Sequence, residues 1–379
     1  MNAVQLPEIS SGSRLHPSGS FDLADHLVPT GKEEFWRFTP TARLAGFFDD
    51  GQARTSLSTQ VSGGAVLGTL ERHQSPRGTA LTPLDRTSAI AADLDQAAYL
   101  VIDSELTDPV RISVHGEDPA PLSAGHLVIE AKPNSSATVV ITHTGQARHI
   151  GNVEVLVGEG ARLTVVSIQD WDPGTIHLGQ HEALVGRDGS YRHIAVSLGG
   201  DLVRIQNNVS YATIGGEAEL LGVYFADAGQ HLEHRLFVDH NHPRGISHVD
   251  YRGALQGEKA RSVWVGDVLI RPEATAIETY ESNKNLLLTD GCRADAVPNL
   301  EIETGDIIGA GHSATTGRFD DEQLFYLRSR GIDEDEARRL VVRGFFSAIL
   351  GHIGIADVQD ALMGRIDAEL AFDKEHEDE

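Results

Sequence analysis

Ala137-Thr-Val-Val-Ile-Thr142, Val153-Glu-Val-Leu-Val157 and Arg162-Leu-Thr-Val-Val-Ser167 are three short runs rich in β-branched residues, each bounded by polar or glycine positions. Runs of this length and composition read as half-buried strands. Similar runs precede them at Tyr99–Ile102 and Val110–Val114, and follow them at Tyr191–Val196, Glu219–Phe225, His234–Val238, His248–Tyr251 and Ser262–Ile270. The punctuation between them is regular. Gly160 to Gly189 is 29 residues and Gly189 to Gly216 is 27, while Gly216 to Gly229 is 13 and Gly245 to Gly257 is 12. These spacings predict a unit near 14 residues, sometimes doubled, of one strand plus one turn. Repeated about a dozen times, such a unit makes a solenoid or a large sandwich. No long helical pattern interrupts the series, which disfavours alternating strand–helix architectures. The reading is a mainly β chain with a β-helix core over residues 96–317.

The texture differs on either side. Residues 1–95 form an irregular or helical N-terminal part, with Phe35, Trp36 and Phe38 in Lys32–Pro40 expected to clamp this arm onto the rest. Residues 318–379 read as a helical C-terminal domain. Asp320 and Asp321 are candidate caps for a helix carrying Leu324, Phe325 and Leu327, which Gly331 stops. Asp333 with Glu336 resembles a capping box. Ala337, Leu340, Val341, Phe345, Ala348 and Ile349 are the expected apolar face of the next helix, and Val358, Leu362, Ile366 and Leu370 that of the last.

Composition narrows the function. The chain has 379 residues, 31 Lys and Arg against 56 Asp and Glu, and a formal net charge of −25. Such a surface repels phosphate backbones and anionic lipids, so nucleic acid is not an expected partner. The acidic stretch Asp373–Glu379 reads as a solvated tail. The first residues, Met1–Pro7, lack the pattern of a secretory signal, and no run of about 18 apolar residues predicts a membrane span. A cytoplasmic location is the expectation. Cys292, the single cysteine, rules out an intramolecular disulfide and any cysteine-cluster metal site.

Several constellations invite chemical readings. His231, His234, Asp239, His240 and His242 offer a metal site on a strand, or a nuclease of the His-Asn-His type, but paired structural cysteines are missing and the charge is wrong for DNA. The expected place for these histidines is the polar outer surface of the solenoid. Asp239, Asp250 and Asp267 could serve a β-helix carbohydrate-active enzyme, but nothing in the sequence makes them converge, and exposed strand ends are the simpler reading. There is no nucleophile elbow and no phosphate-binding loop.

The stretch from Asn283 to Gly331 is the most specific. Asn283-Lys-Asn-Leu-Leu-Leu-Thr289, Pro298-Asn-Leu-Glu-Ile302, Gly311-His-Ser-Ala-Thr315 and Leu324-Phe-Tyr-Leu-Arg-Ser-Arg-Gly-Ile332 stand in an order and spacing that resembles the SufB/SufD family of iron–sulfur cluster assembly scaffolds. The resemblance reaches upstream through His242–Ser247, Tyr251–Gly257 and Val263–Gly266 to Glu34–Thr39. Within the family, the short chain and His312-Ser-Ala-Thr-Thr-Gly317 are similar to the SufD form. A divergent SufB-type scaffold is the alternative, disfavoured by the single thiol.

The resemblance implies a right-handed parallel β-helix between helical terminal segments, and a non-catalytic scaffold role. It implies pairing with a SufB-like paralogue through the β-helix, a homodimer being the form in isolation, and docking of a SufC-like ABC ATPase on the C-terminal helices. It assigns to His312 an iron-ligand role at the interface, where a nascent cluster is built transiently with no cofactor held stably by this chain alone. Imidazole is a suitable iron ligand. Where many relatives have a cysteine two residues before this histidine, this chain has Ala310. Phe325, Tyr326 and Arg330 are the expected contacts for the ATPase.

Overall fold

The computed structural model describes residues 16–49, 56–318 and 321–372. Met1–Pro7, the Asp373–Glu379 tail, Asp320 and the side chains of Asp321 and Leu324, on which expectations rested, lie outside the described residues. In chain order the strands are β1 (Ser58–Ser62), β2 (Gly68–Glu71), β3 (Gln96–Ile102), β4 (Val110–Gly116), β5 (Leu122–Ala131), β6 (Ser136–Gly145), β7 (Arg148–Val157), β8 (Arg162–Trp171), β9 (Ile176–Val185), β10 (Ser190–Ser197), β11 (Leu202–Tyr211), β12 (Glu217–Ala226), β13 (His231–His240), β14 (Ile246–Leu255), β15 (Arg261–Ile270), β16 (Glu278–Leu287), β17 (Arg293–Ile302) and β18 (Gly309–Arg318). The helices are α1 (Arg86–Ala92), α2 (Asp321–Ser329), α3 (Glu334–Leu350) and α4 (Ala356–Phe372).

One nine-stranded sheet runs β1-β4-β6-β8-β10-β12-β14-β16-β18 and the other β17-β15-β13-β11-β9-β7-β5-β3-β2. From β3 and β4 onward every pairing is parallel and joins strands two apart in the chain. The result is a parallel β-solenoid of about eight turns. The 14-residue unit read from the glycine spacing is one strand and one corner, so two units make a turn of the solenoid. Glycine is needed at corners such as Gly160 and Gly257, where φ is +64° and +80°. β1 and β2 pair antiparallel with β4 and β3 and so cover the first turn.

The lumen between the sheets is the main core. Val139, Val155, Val165, Val185, Val203, Leu220, Leu232, Val249 and Trp264 stack along it with at most 1% exposure. The outer faces are covered too. Trp36, Leu44, Phe47 and Phe48 of the N-terminal arm pack with Ala91 of α1 on Ile150, Leu178 and Leu202. Arg204 lies 4.2 Å over the Trp36 ring and 4.8 Å over that of Phe35, so the aromatic clamp forms as expected.

On the other sheet, α3 and α4 lay Val342, Phe346, Ile349, Leu350, Leu362 and Ile366 against Val140, Val166, Ile194, Leu221 and Val223. Each fully buried side chain of this kind contributes roughly 1.5–3 kcal/mol. Asp333 caps α3 by accepting a bond from the Glu336 amide at 3.0 Å, and Gly331, with φ +82°, ends α2. The buried face of α3 corrects the expected one by a step: Leu340 is 42% exposed and Ala348 is exposed, while Val342 and Phe346 are buried. Adjacent apolar pairs, Val341–Val342 and Phe345–Phe346, satisfy the helical period in two phases, and packing on the sheet selects one. Among the described residues no helix is long and apolar enough to cross a membrane.

Candidate functional site

The last turn of the solenoid, β16 to β18, is built differently from the rest. β17 and β18 end their sheets, each paired along one edge only. Residues of β17 are at most half-buried along most of their length, although Ala294, Ala296 and Leu300 pack against the lumen core, as does Ala310 of β18. Ile302, Ile308 and Tyr280 are 43%, 69% and 46% exposed. The lumen is therefore open at this end, its apolar contents meeting solvent, and the free edges offer unpaired backbone groups.

His312 sits in this mouth. It is on β18 in register with Glu281 of β16, and the strand alternation that sends Ala310 inward sends His312 inward as well. Its side chain is 43% exposed, and its Nδ1 lies 3.8 Å from Glu281 Oε1. Tyr280 and Ser313 link their hydroxyls at 3.1 Å beside it.

Glu281 is the residue that motif reading missed. Its side chain is 1% exposed, and its Oε1 has no hydrogen-bond partner. The carboxylate reaches across the lumen to β15. An added Cβ at Gly266 would stand 2.4 Å from Glu281 Oε2 and 2.4 Å from the Trp264 ring, so only glycine leaves room there. Burial, and then the charge of Asp267, push Glu281 up to about 9. A signal for this residue did exist: in a parallel solenoid the neighbour of a strand residue is one turn back, and one turn back from His312 is Glu281.

The other expected residues fall elsewhere. Phe325 and Tyr326 on α2 are 75% and 56% exposed, and the guanidinium of Arg330 lies 5.0 Å over the Tyr326 ring. They form a patch on the helical segment, apart from the mouth. Elsewhere on the helical segment, α3 and α4 border a groove of about 360 Å³ lined by Arg343, Ser347, Leu350, Gln359, Met363 and Asp367. Cys292 is half-buried, with Sγ 3.5 Å from the Gly257 carbonyl oxygen.

The histidine-rich stretch is not on the solenoid surface. His231, His234 and His240 are buried, because β13 is covered on both faces. His234 lies in the lumen against Tyr224 and Tyr251, with ring centroids 5.2 and 5.6 Å away, and burial holds it down at about 4. His240 meets Ser247 Oγ at 2.9 Å, and His231 lies 3.1 Å from Glu233. His242 is half-buried in the corner after β13.

The carboxylates are not free strand ends either. Asp239 takes two bonds from Arg271 at 2.7 and 2.8 Å, and Asp250 pairs with Arg252 at 3.1 Å. Asp267 accepts from Asn299 at 2.6 Å, while burial pushes it up to about 6. Asp250 is on the opposite sheet from Asp239 and Asp267. Among the described residues no three of His, Cys, Asp and Glu gather closely enough to hold a metal ion.

Comparison with known proteins agrees with this architecture. A family model described as "SUF system FeS cluster assembly, SufBD core domain" matches residues 113–345. An iron–sulfur cluster assembly SufBD family protein of Mycobacterium tuberculosis is 50% identical, over 93% of this chain and 91% of its own. One of Mycobacterium leprae is 47% identical over 98% of each. The iron–sulfur cluster assembly protein SufD of Escherichia coli is 23% identical over 95% of this chain and 94% of its own. Asp239 and Asp250, two of the three carboxylates of the carbohydrate-enzyme alternative, are held by arginines, and this chain belongs to the SufBD family of iron–sulfur cluster assembly proteins.

Proposed function

We propose that this chain is the SufD-type, non-catalytic scaffold subunit of a cytoplasmic assembly complex. It pairs through the open end of its solenoid with a SufB-like paralogue, docks a SufC-like ABC ATPase on its C-terminal helices, and presents His312 to iron at the paired interface. The observation that carries the reading is the asymmetry of the two ends. β1 and β2 cover the first turn, whereas the last turn exposes two free strand edges and a half-open apolar lumen. Solenoids need a capping element at such an end, and a second solenoid adding its own strands supplies one.

His312 stands at that junction, exposed and in the mouth, where a ligand from a partner can complete what this chain lacks. One imidazole and one thiol cannot hold a cluster alone, so thiolate and sulfide must come from the partner, and no cofactor remains on the isolated chain. The exposed Phe325 and Tyr326 of α2 with Arg330 suit a protein partner better than solvent. The chain carries no phosphate-binding loop of its own.

The test is His312→Ala in the co-expressed complex. The substitution removes a ligand nitrogen and little packing, so gel filtration should show the assembly intact while anaerobic reconstitution, followed by visible absorbance, shows cluster yield falling by tenfold or more. Normal yield from an intact variant complex overturns the ligand role. Recovery of this chain only by itself, with the ATPase and the paralogue both present, overturns the pairing.

A further inference from the structure

We propose that Glu281 is a second iron ligand of this chain, its Oε1 forming with His312 Nδ1 a two-donor half-site that partner groups complete. The inference rests on the iron-ligand reading of His312 and adds to it a residue in a different turn of the solenoid. Three independent features of the mouth carry it.

The first is the distance. Nδ1 and Oε1 are 3.8 Å apart, which is too long for a hydrogen bond. Two donors bound at about 2.1 Å to one first-row divalent ion stand about 3 to 3.5 Å apart, so a small rotation of the exposed imidazole brings the pair into a ligating arrangement.

The second is the state of the carboxylate. A buried polar oxygen with no partner is rare and costly, and Glu281 Oε1 is one, at the side facing His312. A cation between the two residues satisfies it.

The third is the room made for it. Gly266 has no side chain where any Cβ would strike Glu281 Oε2, and the Trp264 ring closes the far side. The carboxylate thus has Gly266 behind Oε2 and His312 Nδ1 3.8 Å from Oε1. Carboxyl oxygen with imidazole nitrogen is a donor set that suits ferrous iron.

The experiment titrates Fe²⁺ anaerobically, by calorimetry, into the purified complex carrying wild-type chain, Glu281→Gln or His312→Ala. Glutamine keeps the shape of the side chain and replaces the carboxyl by an amide, a poorer iron ligand. The expected result is at least a tenfold weaker Fe²⁺ affinity for each variant, with thermal melting and gel filtration unchanged. His312→Ala weakening the binding while Glu281→Gln stays within twofold of wild type overturns the role of Glu281 and leaves that of His312 standing. Binding unchanged in both variants overturns the His312 reading and this one with it. Should the glutamine complex fail to assemble, Glu281→Asp, which keeps the carboxyl and withdraws the oxygen by one methylene, is judged by the same twofold limit.

Discussion

Gly253→Ala places one methyl group where the lumen has none to spare. Gly253 on β14 is in register with Tyr224 on β12, and an added Cβ would lie 1.9 Å from Tyr224 Cε2 and 2.5 Å from Cζ. Real contacts need about 3.5 Å or more, so the ring must move by well over an ångström. It has nowhere simple to go. Its hydroxyl bonds Asn285 Oδ1 at 2.6 Å and receives Asn283 Nδ2 at 2.9 Å, and the His234 ring stacks on it at 5.2 Å. Overpacking of this kind costs about 1–3 kcal/mol, and two displaced buried hydrogen bonds add about 1 kcal/mol each. The expected loss is therefore about 3–5 kcal/mol.

Gly309→Ala is the matched control. Gly309 lies on β18 in open space with ordinary φ, and its substitution should change stability by no more than about 0.5 kcal/mol. Any gain from stiffening the unfolded chain is common to both variants and cancels in their difference. Urea unfolding followed by far-ultraviolet circular dichroism measures that difference. A Gly253→Ala variant within about 1 kcal/mol of Gly309→Ala refutes the claim that Tyr224 is fixed by its neighbours.

Acid should unfold the chain early. Burial holds His149, His193 and His240 down at about 3 and His143 and His234 at about 4, with His177 and His181 well below the ordinary range. Below about pH 6.5 the unfolded chain binds protons these folded residues refuse, so stability is full above that pH and falls as pH drops. Glu182, raised by burial to about 7, and Glu281 work in the opposite direction, but the histidines outnumber them. Seven histidines against two glutamates leave the unfolded chain binding several more protons than the folded one near pH 5, so stability should fall there by more than about 1.4 kcal/mol per pH unit, and a urea midpoint that stays constant from pH 7 to 5 contradicts it. At the helical end, Phe325→Ser with Tyr326→Ser should weaken ATPase binding at least tenfold in a pull-down titration without changing the circular dichroism spectrum, since neither side chain is buried; unchanged affinity moves the docking surface elsewhere.

The fold was largely legible because its signals are local. Each corner carries its own turn residues, and the 14-residue spacing of Gly216, Gly229, Gly245 and Gly257 follows from one strand and one corner per unit. What resisted was anything that depends on which side of a strand is inside. A strand with one solvated face announces its orientation by alternation, but β13 is buried from His231 to His240, between the lumen and the covered outer face. Its histidines and charges therefore looked like surface residues. Glu233 shows the cause: it accepts from Thr39 at 2.8 Å and lies 3.3 Å from both Arg204 and Arg235, a buried charge satisfied by partners remote in sequence. His312 was legible through its motif, whereas Glu281 required counting one full turn of the solenoid back from it, a register that motif reading does not use.

The placement of His312 also bears on how an ATPase could influence it. In the proposed complex the nucleotide-driven subunit grips α2 to α4, and α2 begins at Asp321, only a few residues after β18 ends at Arg318. His312 lies in the middle of that same strand. β18 is held along one edge only, by β16, and most of its residues remain partly exposed. A strand paired on one side is the easiest to shift, because moving it breaks half the hydrogen bonds that an interior strand would lose. α3 and α4, by contrast, are anchored on the interior strands β6 to β14 through Val342, Phe346 and Ile366. Force applied to the helical segment therefore has a stiff path into the middle of the solenoid and a compliant one into its last strand, and the compliant path carries the histidine. Glu281, on the interior strand β16, stays with the stiff part.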